Sequence, residues 1–297
     1  MDMEHNIAIK DAIIEDNHKV FALLSYYLNH QPDFIDKEEI AEIVNCGVSS
    51  EYAFVAMLTA GCGLDIVDHA EDKDLFEHYF RRMVHQLNAS EYYNNPYYKN
   101  IKIPTIKIGQ SELKYEKYKP FEGFVCNDII QTDEGRQIPQ IGFFDQEFRF
   151  PVVLENDRIW MTITPNEIET MGEAVDQAFG HILTYGLGLG YYAYMTAEKD
   201  NVDSVTVIEL NEDVIRLFTN YVLPQFRNAH KIKIIQADAF EYAEQHMSKE
   251  NYDFAFVDLW HDVSDGLDMY LKMKQYEKHN PNTVFSYWIE KSILCYL

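Results

Sequence analysis

The sequence predicts an α/β protein whose C-terminal half is a parallel sheet covered by helices on both faces, preceded by an N-terminal helical domain and a small β-rich segment. Three observations carry this. Beyond about Thr164, apolar runs of strand length alternate with segments of helix length, the pattern of strands buried on both faces. The first of these strands leads directly into a turn with three glycines and then a helix. Upstream, apolar residues recur at helical spacing as far as residue 90, and the texture from 91 to 164 then turns aromatic, β-branched and proline-punctuated. The expected domains are 1–90, 91–164 and 165–297.

In chain order, Ile13, Ile14, Val20, Leu23, Leu24 and Tyr27 lie at helical spacing and predict a first helix. Asp36 with Glu39 three residues later reads as a capping box opening a second, which stops near Cys46 and Gly47. Ser49 or Ser50 can cap a third, ended by Gly61, and a fourth is expected from about 68 to 86.

Between Glu91 and Thr164, Pro96, Pro104, Pro120, Pro139 and Pro151 divide the chain into short strands. The clearest is a hairpin in which residues 148–154 and 158–164 flank a turn at Glu155, Asn156 and Asp157. Tyr92, Tyr93, Tyr97 and Tyr98 read as a loop packing its rings onto the domain surface, with a ligand-stacking platform as the alternative. There is no internal repeat.

The parallel strands are expected at 181–185, 204–210, 231–236, 253–259 and 283–288. The first runs into Gly186-Leu187-Gly188-Leu189-Gly190 and a helix of Tyr191, Tyr192, Ala193, Tyr194 and Met195. Glycines at such a junction let the backbone turn sharply and approach a ligand where a helix N-terminus presents N–H groups. Glu209 ends the second strand, 19 residues beyond Gly190, where an acid can accept hydrogen bonds from two ribose hydroxyls. The alternative for Glu209 is a solvated acid at a strand end, followed by a helix cap at Asn211. Asp238, beside Ala239, follows the third strand and could accept from an adenine amino group; Asp258 ends the fourth. Three acids and one glycine turn thus converge on the carboxyl edge of the sheet, where open α/β sheets bind ligands.

A dinucleotide fingerprint counted from Gly186 would place Gly or Ala at 191, where this chain has Tyr191. No base near the turn could neutralise a pyrophosphate, and no G-x-x-x-x-G-K-[ST] run exists for a triphosphate. An acidic edge suits S-adenosyl-L-methionine, whose sulfonium and ammonium outweigh its single carboxylate.

At these residues the chain resembles the class I S-adenosylmethionine-dependent methyltransferases, and within them it looks most like the spermidine synthase branch. Residues 181–190 resemble the first motif of that superfamily, 205–209 the second, Asp238-Ala239 the third and 253–258 the fourth. The hairpin followed by Thr164-Pro165-Asn166-Glu167-Ile168-Glu169-Thr170-Met171 is similar to the hairpin and acidic segment that precede the glycine turn in that branch. Thr184 stands where many methyltransferases carry an acid, which the branch also lacks. The resemblance covers about 148–290 and implies a Rossmann-like sheet of the class I methyltransferase type. It also implies S-adenosyl-L-methionine as cofactor, contacted by Gly186, Gly188, Gly190, Glu209, Asp238, Ala239 and Asp258.

The chain departs from the aminopropyltransferases at their D-x-x-D-P loop, having Asp258-Leu259-Trp260-His261-Asp262, one residue wider and without proline. Trp160 stands where that branch has a ligand-contacting glutamine. An N/D-P-P-Y amine-methylating motif is absent, so a nucleobase or glutamine target is not implied. Methyl transfer from a sulfonium is an in-line displacement in which alignment supplies much of the rate, and a base helps when the acceptor carries a proton. Asp258, His261 and Asp262 are the catalytic candidates. Asp258 comes first because the fourth-strand acid commonly faces the transferring group in the enzymes this region resembles. Imidazole is a residue type suited to proton exchange, although His261 in a helix-opening loop also reads as structural, and Trp260 as either a pocket cap or core. Three functions stay open: a methyltransferase with a small-molecule acceptor, an aminopropyltransferase using decarboxylated S-adenosylmethionine, and a non-catalytic S-adenosyl-ligand-binding protein.

Composition narrows the partners. Across 297 residues, 49 acids face 25 Lys plus Arg, a formal charge of −24. Such an excess repels phosphate backbones and anionic lipid, so nucleic acid and membrane are not expected as partners, whereas a cationic or zwitterionic small molecule is. The 47% hydrophobic fraction is ample for packed cores. There is no apolar run of membrane-spanning length and no basic, signal-like N-terminus, which together predict a cytoplasmic protein. Cys46, Cys62, Cys126 and Cys295 are too dispersed for a zinc site and read as reduced core or half-buried thiols; no metal is expected. The charge is −11 over 1–90 (17 acids, 6 bases), −1 over 91–150 (9 and 8) and −12 over 151–297 (23 and 11). The nearly neutral middle is the expected interdomain or intersubunit contact, the latter making a homo-oligomer. With 9 residues after Trp288, the sheet is expected to have five strands, its open edge covered by the middle segment or another chain. The final Ser292-Ile293-Leu294-Cys295-Tyr296-Leu297 is expected to form a short buried helix, a truncated end or a surface completed by a partner.

Overall fold

The computed structural model describes residues 2–297, with side chains from Ile9 onward. The chain separates into two compact units, Met1–Ala89 with Lys117–Phe148, and Ser90–Glu116 with Arg149–Leu297. The expected division at 90 and 164 is drawn differently, because the middle segment is shared between the two units.

In the first unit, helices Asp2–His30, Lys37–Asn45, Ser50–Gly61 and Ala70–Leu75 do not stand as a purely helical body. They need a partner for apolar faces that carry Leu24, Phe54, Leu58 and Leu75, all buried. A three-stranded sheet supplies it: strand Gln137–Phe143 pairs in parallel with Val84–Gln86 and antiparallel with Phe124–Gln131. Phe54 stacks on Phe143 with ring centroids 4.3 Å apart. Asp36 caps the second helix by accepting from the Glu38 N–H at 2.6 Å, and Ser49 caps the third by accepting from Tyr52 N–H at 3.2 Å. The fourth helix passes into a π-helical stretch, Phe76–Phe80, and ends in a turn, Arg81–Met83, so the last residues expected to be helical are the strand Val84–Gln86.

The second unit contains the parallel sheet. Its strands are β1 (Gly180–Tyr185), β2 (Val202–Glu209), β3 (Ile232–Gln236), β4 (Phe254–Val257) and β5 (Val284–Tyr287), in the order β3-β2-β1-β4-β5. Every pairing is parallel, which makes the sheet Rossmann-like. Ile182, Leu183, Val205, Val207, Phe254 and Ala255 are all buried, as strands covered on both faces require. The helices are α1 (Pro165–Gln177), α2 (Tyr191–Ala197), α3 (Glu212–Leu217), α4 (Ala239–Gln245) and α5 (Val263–Glu277). Tyr185 lies opposite Ile208 on one side and Val257 on the other, so the central strands end level and their following loops open on one edge.

The hairpin forms between Phe148–Glu155 and Arg158–Thr162. Asn156 and Asp157 both have positive φ, 51° and 62°, the backbone of a two-residue turn matched to strand twist. With Ile106–Ile108 and Ser111–Tyr118 the hairpin makes a separate four-stranded sheet. Among the described residues the middle segment pairs with neither edge strand of the parallel sheet. The apolar run after Trp288 contributes helix Glu290–Leu294, in which Ile293 is buried while Leu294, Tyr296 and Leu297 are exposed. No single helix is long and apolar enough to cross a membrane among the described residues. Cys46 is exposed, Cys126 buried, and Cys62 and Cys295 lie between; the expectation of burial therefore fails at Cys46, which sits at an exposed helix end.

Candidate functional site

Strand β1 ends at Tyr185, and Gly186 turns the chain with φ of 98°. A Cβ there would stand 2.1 Å from the Asp258 carbonyl oxygen, so the glycine turn and the end of β4 lie back to back. The Gly186 N–H donates to Ile208 at 2.9 Å and the Asp258 N–H to Tyr185 at 3.0 Å, tying the loops after β1 and β4 to their neighbouring strands.

A cavity of about 250 Å³ opens at this edge, where the loops after β1 and β4 diverge on either side of the sheet's centre. Its lining includes Gly186, Leu187, Gly188, Glu209, Asp238, Ala239, Asp258 and His261 from the sheet side. Trp160 and Met161 from the hairpin also line it. Seven of the nine residues expected to serve a ligand or its chemistry therefore line one cavity, among them six of the seven cofactor positions. The exceptions are Gly190 and Asp262, which lie outside the lining.

Gly190 instead admits the Phe218 ring, which a Cβ would approach to 2.2 Å. Asp262 is the N-cap of α5: its Oδ1 accepts from Ser264 N–H at 2.6 Å and from the Ser264 hydroxyl at 2.5 Å. Asp265 closes the box by accepting from Asp262 N–H at 3.0 Å, and also from His261 N–H at 3.1 Å. These bonds satisfy helix N–H groups that would otherwise lack partners.

Glu209 is largely withdrawn from water at the end of β2. Its Oε2 accepts from Leu187 N–H at 3.1 Å and its Oε1 from Asn211 N–H at 2.8 Å. Burial raises its carboxyl above the usual range, against the lowering effect of these N–H groups. Asn211 caps α3, and it also donates to Glu155 of the hairpin at 2.9 Å. Asp238 caps α4 by accepting from Glu241 N–H at 2.9 Å. Asp258 is buried; desolvation, reinforced by the charges of Glu167 and Glu209, pushes it up to about 8. No lysine or arginine lines the cavity among the described residues. The electrostatic character of the site is thus crowded carboxyl groups without a countercharge.

Several residues play parts here that the sequence pattern does not assign to them. Tyr97, buried in the 90–116 segment, donates from its hydroxyl to the Leu189 carbonyl at 2.6 Å, inside the glycine turn. Asn95 donates to the Tyr191 hydroxyl at 3.0 Å and Asn100 to that of Tyr194 at 2.8 Å, fastening the same segment to α2. Tyr92 and Tyr97 are buried and Tyr98 is half-buried, so these rings pack, while Tyr93 is exposed. Trp260 is also buried, while Met269 of α5 and Phe240 of α4 complete the apolar wall.

No known protein family matches the chain, and no curated protein matches it. Among solved structures, a candidate O-methyltransferase from Klebsiella pneumoniae is similar at 16% identity, with a TM-score of 0.26 over 32% of this chain and 43% of that one. The match therefore spans less than half of that protein's length.

Proposed function

We propose that this chain is an S-adenosyl-L-methionine-dependent methyltransferase acting on a small-molecule acceptor. The observation that carries the reading is the cavity at the carboxyl ends of β1, β2, β3 and β4. There, a glycine turn and three acids, Glu209, Asp238 and Asp258, meet without any lysine or arginine in the lining. Open parallel sheets bind ligands where strand order reverses, here beside β1. Crowded carboxyl groups with no countercharge favour a ligand with a net positive centre. They disfavour a dinucleotide, whose pyrophosphate would face the same acids.

S-adenosyl-L-methionine, when bound, supplies a methyl group on a sulfonium already activated for displacement. The roles of this chain's residues follow from their positions. Glu209 is held by two backbone N–H groups with lone pairs left for ribose hydroxyls. Asp238 and Ala239 stand at the start of α4 as candidates for the base, and Gly186 and Gly188 line the cavity, where a Cβ would collide with the Asp258 carbonyl and with Met161. Asp258, just beyond β4, lines the same cavity as His261 and Trp160. His261 is the better-placed proton acceptor of the loop, since Asp262 is occupied in capping α5.

The aminopropyltransferase reading keeps the same cofactor region but needs an acid to receive a polyamine. Glu167 of the acidic segment is committed elsewhere: it accepts from Thr164 N–H at 2.9 Å and from the hydroxyls of Thr162 and Thr164, in the capping box of α1. Calorimetry with S-adenosylmethionine, its decarboxylated form and NAD tests the proposal. Binding of S-adenosylmethionine in preference to the other two is expected. Tight NAD binding with no response to either S-adenosyl compound would remove it, and preference for the decarboxylated form would favour the aminopropyl reading.

A further inference from the structure

The mouth of the cavity differs in kind from its floor. The acids stand just beyond β2, β3 and β4, whereas the hairpin contributes Trp160 and Met161, and the loop after β4 and α5 add Leu259, Trp260 and Met269, with His261 beside them. Trp160 is the unusual member. Tryptophan is among the residues most buried on average, yet Trp160 is 46% exposed on the edge strand Arg158–Thr162 of its sheet. The other two tryptophans, Trp260 and Trp288, are buried.

Its indole lies 6.0 Å from the His261 ring, centroid to centroid, with the planes tilted by 44°. Rings at that separation already touch each other, so they form a corner and not a slot. A flat ligand would lie against the open indole face, with the imidazole at its edge. Beside that corner stands Met161, whose Cε comes within 2.6 Å of where a Gly188 side chain would begin. A thioether there can follow the outline of a bound ring.

Charge decides which flat ligand. A cationic acceptor would be repelled by a sulfonium in the same cavity, and an anionic one would meet acids and no lysine or arginine. An uncharged aromatic ring avoids both penalties and gains contact with Trp160, His261 and Met161.

Resting on the transferase reading above, we infer that Trp160 is the acceptor-binding platform and that the acceptor is an uncharged, planar aromatic compound stacked on its exposed indole face. Trp160 also sets specificity, since a saturated ring of the same size loses the face-to-face contact.

The test uses the full chain with S-adenosylhomocysteine bound and three probes: 1-naphthol, its saturated counterpart decahydro-1-naphthol, and tetramethylammonium. Titration by calorimetry, with Trp fluorescence reporting on the exposed indole, should show naphthol binding at least tenfold tighter than either comparison compound. Trp160→Ala should weaken naphthol binding tenfold or more and Trp160→Phe by less than threefold, while both keep S-adenosylhomocysteine affinity within twofold and an unchanged melting temperature. Equal binding of naphthol and the saturated alcohol, tighter binding of tetramethylammonium, or an unaffected Trp160→Ala variant would each overturn the inference. Failure of S-adenosylhomocysteine to bind the unaltered protein would count against the transferase reading alone, because naphthol titrated without the nucleoside still reports on Trp160.

Discussion

The hydroxyl of Tyr97 donates to the carbonyl of Leu189 across 2.6 Å, joining a segment far upstream to the middle of the glycine turn. Tyr97 is fully enclosed, and desolvation holds its phenol well above the ordinary tyrosine range, so it stays a neutral donor. Replacing it with phenylalanine leaves a buried carbonyl short of a partner. Tyr97→Phe is expected to lower stability in urea unfolding by about 1–3 kcal/mol. An unfolding midpoint equal to that of the unaltered protein would show that the turn holds its shape without this bond.

Glu209 is bonded to the turn on one side, at Leu187, and to Asn211 on the other. Glu209→Ala should weaken S-adenosylmethionine binding by about 1–3 kcal/mol, the scale of hydrogen bonds to a charged acceptor. Calorimetry reads this directly, and unchanged affinity would take Glu209 out of the site.

Asp258 makes stability depend on pH in a direction opposite to that of a salt-bridged acid. Its carboxyl titrates near 3.9 when the chain is unfolded and is pushed up to about 8 in the fold, so the folded state holds the extra proton between these values. The stabilisation belonging to this group is full below about pH 4 and is lost as pH rises through about 8, with a slope of up to about 1.4 kcal/mol per pH unit. Asp258→Asn, which mimics the protonated acid, should flatten the melting-temperature profile over that window and be the more stable protein at pH 8. Parallel profiles for the two proteins would refute the shift. Because a cation in the cavity favours ionised Asp258, binding of S-adenosylmethionine at pH 7 should release protons, seen as a binding enthalpy that varies with buffer.

Asp262 offers the contrasting case of an acid used by the backbone. Asp262→Ala removes the N-cap of α5 and should cost about 1 kcal/mol of stability, whereas Asp262→Asn should preserve most of it. Neither should shift S-adenosylmethionine affinity by more than twofold in calorimetry. A loss of turnover in Asp262→Asn with the fold and cofactor affinity intact would instead return Asp262 to the chemistry.

The parallel strands were legible because burial on both faces leaves runs such as Val205 to Ile208 and Phe254 to Val257 almost without polar residues. The turn was legible because three glycines interrupt the chain between such a strand and a helix, and Gly186 and Gly188 do line the cavity. Gly190 was not separable from them, since a glycine that admits the Phe218 ring away from the cavity looks the same in sequence as one on its lining. Asp262 raised the same difficulty, because an acid before a helix can serve a cap or a reaction. Trp160 and Tyr97 stood out only through a family position and a run of tyrosines, and neither role was legible, because each reaches the cavity or its turn by folding back from a separate segment.

The sequence by itself determined the alternation of strands and helices, the glycine turn and the acids that follow β2, β3 and β4. These depend on periodicity, chain reversal and strand ends, all of which are local. Only the tertiary structure decided that the middle segment would split between two units, that Tyr97 would brace the turn, and that Trp160 and His261 would meet at one mouth. Those outcomes depend on which apolar faces find each other across long stretches of chain, and on which polar groups are left inside once they have.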